Sequence, residues 1–204
     1  MLVKGHLKID TNEFSEYGNY KVYPTLFDKC YIVTPYVFRD GRGAYTETFN
    51  EELISDFFPT SFVQDDFSVS YKNVLRGFHG DYKTSKFVSC PYGSITNVIV
   101  DLNLKSPTFG KWGYIRFSHF CEEMLLIPSG FGNLIISHED NSVYWYKQTT
   151  YYMGAVNQFT LLWNDPILNI PWENIVRDVR RLIVSERDKN GMMLEELINK
   201  NRLK

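Results

Sequence analysis

The chain has 204 residues, and its 22 Lys and Arg against 24 Asp and Glu give a formal net charge of −2. This length suits one domain with a sizeable core, and the charge balance disfavours general nucleic-acid binding, which usually shows a basic surplus. The three cysteines are widely spaced, so neither a zinc knuckle nor a redox dithiol is expected. Residues 1–14 lack the apolar core of a secretory signal, and no apolar run approaches the roughly 20 residues that span a bilayer. We therefore expect a cytoplasmic protein with reduced thiols.

The first part of the chain predicts strands and one short helix. Residues 1–20 are polar and are interpreted as an N-terminal arm or an extra strand on a partner. Residues 30–38 (CYIVTPYVF) predict a strand, and residues 39–43 (RDGRG) predict the turn that follows it. A short amphipathic helix is predicted over 50–58, and Pro59 is expected to stop it.

From residue 61 to residue 147, short strands alternate with turns at intervals of about 8–12 residues, which predicts a β-sandwich or barrel. The strand SITNVIVDL carries the polar residues Thr96, Asn97 and Asp101 among apolar neighbours. This imperfect alternation is acceptable where a barrel places polar groups inward.

The C-terminal part of the sequence changes character. Residues 163–172 (WNDPILNIPW) predict an extended, turn-rich segment, and residues 191–201 predict a terminal helix. No internal repeat or linker interrupts the chain. We interpret residues 1–204 as one domain, with residues 189–204 as a helical tail.

The segment VLRGFHGD (74–81) holds the densest group of chemically active side chains. In a regular strand, Arg76 and Phe78 would face one way, and His79 and Asp81 the other. On its own, a histidine at a strand end is more often a surface residue than a catalytic one, because most titratable residues have structural roles.

Other groups carry less information by themselves. Tyr144 and Tyr146 share a strand face, which is more typical of packing than of catalysis. The run SERD (185–188) is typical of a solvated surface. Four cationic residues could form a phosphate pocket: Arg42, Arg76, Lys83 and Lys86. No Walker or Rossmann loop is present, so a nucleotide would be held by side chains on strands.

Seven segments together carry a resemblance to a known family. They are DGRGAYTETFN, SFVQDDFSVSYKNVLRGFHGD, DLNLKSPTFGKW, LLIPSGFGN, YKQTTYY, WNDPILNIPW and SERD. In order and spacing they resemble the dTDP-4-dehydrorhamnose 3,5-epimerase family, over about residues 31–188. The resemblance implies an all-β, cupin-type antiparallel barrel (a jelly roll) with a few short helices, one of them C-terminal. It also implies a homodimer, in which strands around residues 20–40 add to the partner's sheet.

The resemblance also implies a role for individual residues. His79 matches the catalytic base, Asp188 matches the carboxylate that pairs with it, and Tyr146 matches the general acid. The implied substrate-binding residues are Arg42, Glu47, Gln64, Asp66, Arg76, Asp81, Lys86 and Asn133.

The implied reaction suits these residue types. A ketone at C4 of the sugar acidifies the protons on C3 and C5, because the resulting anion is delocalised onto oxygen. Inversion then needs a base on one face of the ring and an acid on the other. An imidazole usually titrates near pH 6.5 and suits the first task. Lys86, with Arg76 second, is the expected partner of the enolate oxygen.

Several positions depart from the usual family pattern. Gly80 and Asp81 stand where an aromatic residue and a glutamine are usual, Asn133 replaces a histidine, and Asn97 replaces an aspartate. The motifs HGD and GFGN resemble epimerases that act on GDP-linked 4-keto-6-deoxy-heptoses in bacterial capsule synthesis. A GDP-linked 6-deoxy-heptose inverted at C3, and possibly also at C5, is therefore the expected substrate, with dTDP-4-dehydrorhamnose as the alternative.

Two further alternatives remain open at this stage. One is a 3,4-ketoisomerase on a related cupin fold, and the other is a catalytically silent cupin that binds a sugar nucleotide or a partner enzyme. The FVQD, SPTFG and WND segments favour the epimerase over the isomerase. The joint presence of His79, Tyr146 and Asp188 favours an enzyme over a silent binder.

A metal site is not expected. Metal-binding cupins present two histidines two residues apart, then a carboxylate and a third histidine. Here His79 is followed by Asp81, and Asn133 occupies the place of the third histidine. His119 and His138 match no ligand position, and one histidine rarely suffices for zinc or iron. We expect no cofactor either.

Overall fold

The structure, a computed structural model, describes residues 6–7 and 13–202. The strands are β1 (Ser15–Tyr17), β2 (Tyr20–Pro24), β3 (Tyr31–Pro35), β4 (Val37–Asp40), β5 (Gly43–Thr46), β6 (Gln64–Ser70), β7 (Val74–Gly80), β8 (Lys86–Tyr92), β9 (Ser94–Asp101), β10 (Trp112–Ser118), β11 (Met124–Ile127), β12 (Phe131–Ser137), β13 (Ser142–Gln148), β14 (Phe159–Thr160) and β15 (Ile183–Val184). The helices are α1 (Glu51–Ser55), α2 (Trp172–Ile175), α3 (Glu186–Lys189) and α4 (Leu194–Arg202).

Two sheets form the barrel. The larger has seven strands in the order β1-β2-β3-β11-β8-β13-β6, and the smaller has the order β10-β9-β12-β7-β14, with β15 added parallel to β7. The other pairings between these strands are antiparallel, and β4 and β5 pair with each other as a separate hairpin. The predicted all-β, cupin-type antiparallel architecture with a few short helices is confirmed.

Alternation along single strands builds a core on each face of the sheets. In β11, Leu125 points into the barrel and packs with Ile99 of the smaller sheet. Its neighbours Met124 and Leu126 point outward and pack with Ile54 of α1. Successive side chains of a strand point to opposite faces, so a fully apolar strand such as β11 serves both cores.

The outer face of the smaller sheet is covered by the C-terminal part of the chain. Phe78 of β7 and Val98 of β9 belong to one cluster with Trp172 of α2 and Leu194 of α4. The predicted terminal helix over 191–201 is confirmed as α4, which begins at Leu194. This cover leaves the barrel interior, rather than the outer face, open for a site.

Two predicted elements have different boundaries in the structure. The expected strand over 30–38 is divided after Pro35, because β3 continues the large sheet while β4 turns away to pair with β5. The predicted helix over 50–58 begins with Asn50 as its N-cap, but it ends at Ser55. The backbone N–H groups of the next two phenylalanines both turn back to the carbonyl of Ile54.

The N-terminal strands pair within the chain. Strands β2 and β3 extend the chain's own large sheet, where β3 pairs with β11, and their addition to a partner's sheet stays a prediction. The described part of the expected arm pairs within the chain as well, since β1 pairs with β2 and His6 bridges Tyr114. The rest of that arm, residues 1–5 and 8–12, lies outside the described residues.

Asn97 of β9 lies on the inner face of the sheet with Ile99, as the barrel interpretation predicts. Thr96 alternates to the outer face with Val98, where its Oγ1 lies 2.7 Å from His138 Nε2. Thr96, Asn97 and Asp101 are all buried. Among the helices of the described residues, none is both long and apolar enough to cross a membrane.

Candidate active site

The first wall of the site is β7, which carries His79 beside a buried carboxylate. His79 Nε2 lies 2.5 Å from Asp188 Oδ1, and 22% of the imidazole side chain remains exposed. Asp188 is in α3, where its backbone N–H donates to the Oγ of the N-cap Ser185 at 3.2 Å. Its other oxygen accepts the backbone N–H of Gly77 at 3.3 Å.

Electrostatics favour an ionised carboxylate in this pair. Burial raises the pKa of Asp188, but the hydrogen bond and charge of His79, together with the hydrogen bonds from Ser185 and Gly77, hold that pKa below its usual value. An ionised Asp188 keeps a proton on the imidazole Nε2, which leaves Nδ1 as the nitrogen that can accept one. The arrangement is suited to a general base.

A bulge at Gly77 decides which side chains of β7 face the site. His79 pairs with Asn133 of β12, and Arg76 pairs with Ile135, so three steps along β7 match two along β12. At Gly77, where φ is +128°, a Cβ would lie 2.5 Å from the Asn133 carbonyl oxygen. Only glycine accommodates this close approach of the two strands.

The bulge corrects the facing predicted from regular alternation. Arg76 donates from Nε to Ser70 Oγ of the opposite sheet at 3.1 Å, whereas Phe78 lies in the outer core. The prediction that Arg76 and Phe78 share a face is therefore wrong. The extra residue brings Arg76 to the same side of β7 as His79.

The second wall belongs to the larger sheet and carries Tyr146 on β13. Lys86 of β8 places its Nζ 5.3 Å from the centroid of the Tyr146 ring. Burial raises the pKa of Tyr146, as do the neighbouring Asp66 and Tyr152, while Arg76 opposes the rise. The hydroxyl therefore keeps its proton at neutral pH and can act as a donor.

Lys86 has an unusual environment for an ammonium group. Burial lowers its pKa to about 8, and the charge of Arg187 acts in the same direction, whereas Asp81 and Asp66 oppose the fall. A lysine with this pKa is still mainly charged at pH 7. It can stabilise negative charge that develops in the space between these two walls, which we call the chamber.

Asp66 lies at the centre of a polar cluster where β6 meets β13. Its Oδ2 accepts hydrogen bonds from Gln64 Nε2 at 2.7 Å and from Gln148 Nε2 at 2.9 Å. Gln64 in turn accepts the backbone N–H of Tyr152 at 2.7 Å. The cluster holds the loop after β13 close to Tyr146.

Asn133 lies on the floor of the chamber, directly across from His79 in the ladder between β7 and β12. It hydrogen-bonds to Asn97 of β9 and to Tyr144 of β13. The two asparagines that depart from the family pattern are therefore partners of each other.

Asp81 has a structural contact in addition to its charge. Its Oδ1 accepts the backbone N–H groups of Lys83 at 2.8 Å and of Thr84 at 2.7 Å, which organises the turn after β7. A cavity of about 460 Å³ opens beside this turn, and α4 supplies part of its wall through Leu197. Lys83, the remaining member of the predicted cationic pocket, also lines this cavity.

Two predicted binding residues lie apart from this cluster within the chain. Arg42 is at the tip of the β4–β5 hairpin, where its side chain is 91% exposed and pairs with Asp40 at 2.6 Å. Glu47 lies beside Tyr20, whose fully buried side chain belongs to the core on the outer face of the larger sheet. Their binding roles stay predictions.

Two residues of the site were missed in the sequence. Arg187 donates to Thr160 Oγ1 at 2.9 Å and to Gln158 Oε1 at 3.3 Å, and Thr160 is the β14 partner of His79. A possible signal was its place next to Asp188 in the charged run. Gln148 is 3% exposed, and its position at the end of an aromatic strand does not predict this burial.

The described residues contain no group of three or more His, Cys, Asp or Glu side chains placed to hold a metal ion. What they do bring together is a histidine of the smaller sheet with a carboxylate of α3, and a tyrosine with a lysine on the larger sheet. This arrangement can remove a proton from a carbon acid, stabilise the resulting oxyanion and return a proton.

The comparisons with known proteins agree with this chemistry. The model of the dTDP-4-dehydrorhamnose 3,5-epimerase family matches residues 24–196. The dTDP-4-dehydrorhamnose 3,5-epimerase of Escherichia coli (strain K12) is 36% identical over 179 residues, which are 85% of this chain and 94% of that protein. The enzyme of the same name from Methanothermobacter thermautotrophicus is 34% identical over 88% of this chain and 97% of its own length.

Solved structures give the same result. A dTDP-6-deoxy-D-glucose-3,5-epimerase from Legionella pneumophila, in complex with dTDP-4-keto-L-rhamnose, has a TM-score of 0.79 and 31% identity, with coverage of 87% of this chain and 96% of that chain. The dTDP-4-dehydrorhamnose 3,5-epimerase of Elizabethkingia anophelis has a TM-score of 0.79 and 32% identity, with coverage of 87% and 98%. The chain therefore belongs to the dTDP-4-dehydrorhamnose 3,5-epimerase family of sugar-nucleotide epimerases.

Proposed function

We propose that this enzyme inverts C3 and C5 of a dTDP-linked 4-keto-6-deoxy sugar, with His79 as the base and Tyr146 as the acid. The observation that carries the proposal is the His79–Asp188 pair on one wall of the chamber, with the protonated Tyr146 on the other. An inversion needs these two roles on opposite faces of the sugar ring.

The proposed reaction begins when His79 removes the proton on C3 or C5, next to the ketone. The electron pair of the broken C–H bond forms a C=C bond, and the carbonyl electrons move to oxygen as an enolate. Lys86 stabilises this oxygen, and Asp188 stabilises the imidazolium that forms. Tyr146 then donates its proton to the carbon from the opposite face, which inverts the centre, and solvent restores both groups.

The relatives support a dTDP-linked substrate over the GDP-linked heptose expected from the HGD and GFGN motifs. The curated relatives described above are named as dTDP-4-dehydrorhamnose epimerases, and the Legionella enzyme is in complex with a dTDP sugar. The amide at Asn133 is the feature that would favour the heptose, because it lies directly across from the base in the ladder between β7 and β12.

We also propose that the enzyme works as a homodimer in the cytoplasm. The support for the dimer is that β6 has a neighbouring strand on one side only among the described residues and carries exposed Phe67 and Val69, together with exposed Phe38 and Tyr45 on the hairpin. Edges and apolar surfaces of this kind are usually covered. In a dimer, the hairpin could bring Arg42 to the chamber of the other subunit.

The substrate is tested in deuterated water with NMR detection of deuterium at C3 and C5. The dTDP-linked 4-keto-6-deoxy-hexose and the GDP-linked 4-keto-6-deoxy-heptose are compared at equal concentration. We expect rapid exchange and inversion at both carbons of the dTDP sugar. A kcat/KM that is higher for the GDP-heptose would overturn the nucleotide assignment, and exchange at C3 alone would restrict the reaction to one centre.

Two results would overturn the epimerase mechanism as a whole. Conversion of the 4-ketone to a 3-ketone would indicate the ketoisomerase, and tight binding with no exchange on either sugar would indicate a silent binder. Light scattering tests the dimer, and a clean monomer mass at micromolar concentration would contradict it.

A further inference from the structure

We propose that Tyr144 is a positioning residue for Tyr146, and that it acts through a closed ring of hydrogen bonds with Asn97 and Asn133. The ring would fix the strand that carries the acid relative to the strand beside the base. This inference rests on the proposed function, because it takes Tyr146 as the acid.

The three hydrogen bonds run in one donor-to-acceptor direction and close the ring. The Tyr144 hydroxyl donates to Asn97 Oδ1 at 3.2 Å, Asn97 Nδ2 donates to Asn133 Oδ1 at 2.6 Å, and Asn133 Nδ2 donates back to the Tyr144 hydroxyl at 3.0 Å. Within the ring each side chain gives one hydrogen bond and accepts one, and Asn97 Nδ2 also donates to the carbonyl of Leu134 at 3.0 Å. All three are buried, so loss of any member leaves buried polar atoms without a partner.

The ring joins three strands at the level of the chamber. Asn97 lies on β9 and Asn133 on β12 in the smaller sheet, whereas Tyr144 lies on β13 in the larger sheet. Asn133 is the ladder partner of His79. The ring is therefore a polar bridge between the two walls, placed beside the base on one side.

Tyr144 is also directly linked to the acid. Residues two apart on a strand share a face, so Tyr144 and Tyr146 both point into the barrel. Their ring centroids are 5.5 Å apart at an interplanar angle of 36°, which is a packed aromatic pair. A shift of Tyr144 would thus tilt or displace the Tyr146 ring, and a displacement of about 1 Å can cost 10²-fold in rate.

The composition of the ring suits a positioning role. Burial raises the pKa of Tyr144, so its hydroxyl stays protonated, and the two amides do not titrate. The sequence has these amides at the two positions where the family pattern has an aspartate and a histidine. The bridge therefore keeps one hydrogen-bond pattern across the working pH range, whereas an ionisable pair would not.

The test uses Tyr144→Phe, which removes one hydroxyl and opens the ring, and Asn97→Ala, which opens it from the side away from the acid. Tyr114→Phe is the matched control, because Tyr114 is a buried tyrosine on β10, at the edge of the smaller sheet. For each variant, product formation and deuterium incorporation into recovered substrate are measured in deuterated water, together with KM and the melting temperature.

We expect Tyr144→Phe to slow product formation by about 5- to 100-fold. Exchange into unchanged substrate should fall by less than about threefold, since His79 still removes the proton. Asn97→Ala should shift the ratio of exchange to product in the same direction, and Tyr114→Phe should leave the ratio unchanged. If Tyr144→Phe does not fold, Asn97→Ala decides the question by the same ratio.

Equal losses of exchange and product, or no loss of either, would overturn the positioning role of Tyr144. A failure of the proposed function looks different. In that case Tyr146→Phe itself would not separate exchange from product formation, whatever Tyr144→Phe does.

Discussion

Predicted site residues in the barrel chamber contact one another, whereas Arg42 on the β4–β5 hairpin does not contact the others. The chamber brings His79 and Asp188, which are 109 positions apart in sequence, to within 2.5 Å of each other. The hairpin leaves Arg42 in solvent, paired with a neighbour two positions away. Side chains that line a barrel converge because register and alternation aim them at one interior, whereas a hairpin acts wherever another surface meets it. We therefore expect mutations in the chamber to affect chemistry and mutations on the hairpin to affect binding.

The largest expected effect is that of His79→Asn. Asparagine keeps polarity and approximate size, but it cannot accept a proton at neutral pH. Both deuterium exchange and product formation should fall by at least about 10²–10⁴-fold, the usual contribution of a general base. His119→Asn is the matched control, because His119 lies in a turn outside the chamber. If His79→Asn retained activity, the base would have to lie elsewhere.

The next effect is that of Tyr146→Phe, which removes the hydroxyl and keeps the ring. Product formation should fall by about 10²-fold or more, while His79 continues to exchange the substrate proton with solvent. The signature is deuterium in substrate of unchanged configuration, detected by NMR. Product at the normal rate would show that another donor serves that face.

On the hairpin, Arg42→Ala should weaken sugar-nucleotide affinity by about 1.5–3 kcal/mol, the scale of a hydrogen bond to a charged group, with little change in kcat. Isothermal titration calorimetry checks the dissociation constant. An unchanged constant would remove Arg42 from the phosphate site. The dissociation constant of Arg76→Ala, measured in the same way, shows how much a cationic residue inside the chamber contributes to the affinity.

A mixing experiment can then show which chamber Arg42 serves. Arg42→Ala and His79→Asn subunits are combined after mild dissociation, and activity is measured at low substrate concentration. If Arg42 acts across a dimer, the hybrid contains one site with both residues intact, and activity rises above that of either parent. No rise would place Arg42 and His79 in the same subunit's site, or Arg42 in none.

The smallest effect concerns pH. Because burial lowers the pKa of Lys86 to about 8, its ammonium is lost as pH rises through about 8, and with it the stabilisation of the enolate. The alkaline limb of kcat/KM should therefore fall about tenfold per pH unit above that value. Lys86→Arg, which stays charged, should remove this limb. An unchanged limb in Lys86→Arg would assign it to another group.

The sequence alone was sufficient for the architecture and for most of the chamber. Short strands with regular turns indicate a barrel, and the order of family-like segments points to His79, Tyr146 and Asp188 in their roles. The architecture is confirmed because strand periodicity and turn spacing are local properties, whereas the roles of the three residues stay predictions. Residues brought in by a later turn of the chain, such as Arg187 at the base and Gln148 at the polar cluster, had no local signal strong enough to identify them.

The sequence did not predict the register of the strands or which strands lie next to each other in the sheets. Only the register places β3 beside β11, where Ile32 and Val33 are buried on opposite faces. The mutual contact of Asn97 and Asn133 was equally hidden. In the sequence they are two separate departures from the family pattern. Only the register of β9 with β12 brings the two side chains into contact.

The extra residue at Gly77 has a consequence for how β7 would tolerate mutation. Leu75 and Phe78 both lie in the outer core although they are three positions apart, and Arg76 and His79 share the inner side. A saturation scan of this strand should therefore show that apolar residues are required at odd-numbered positions before Gly77 and at even-numbered positions after it. A homologue without the insertion would keep one phase throughout and would turn either its arginine or its histidine away from the sugar.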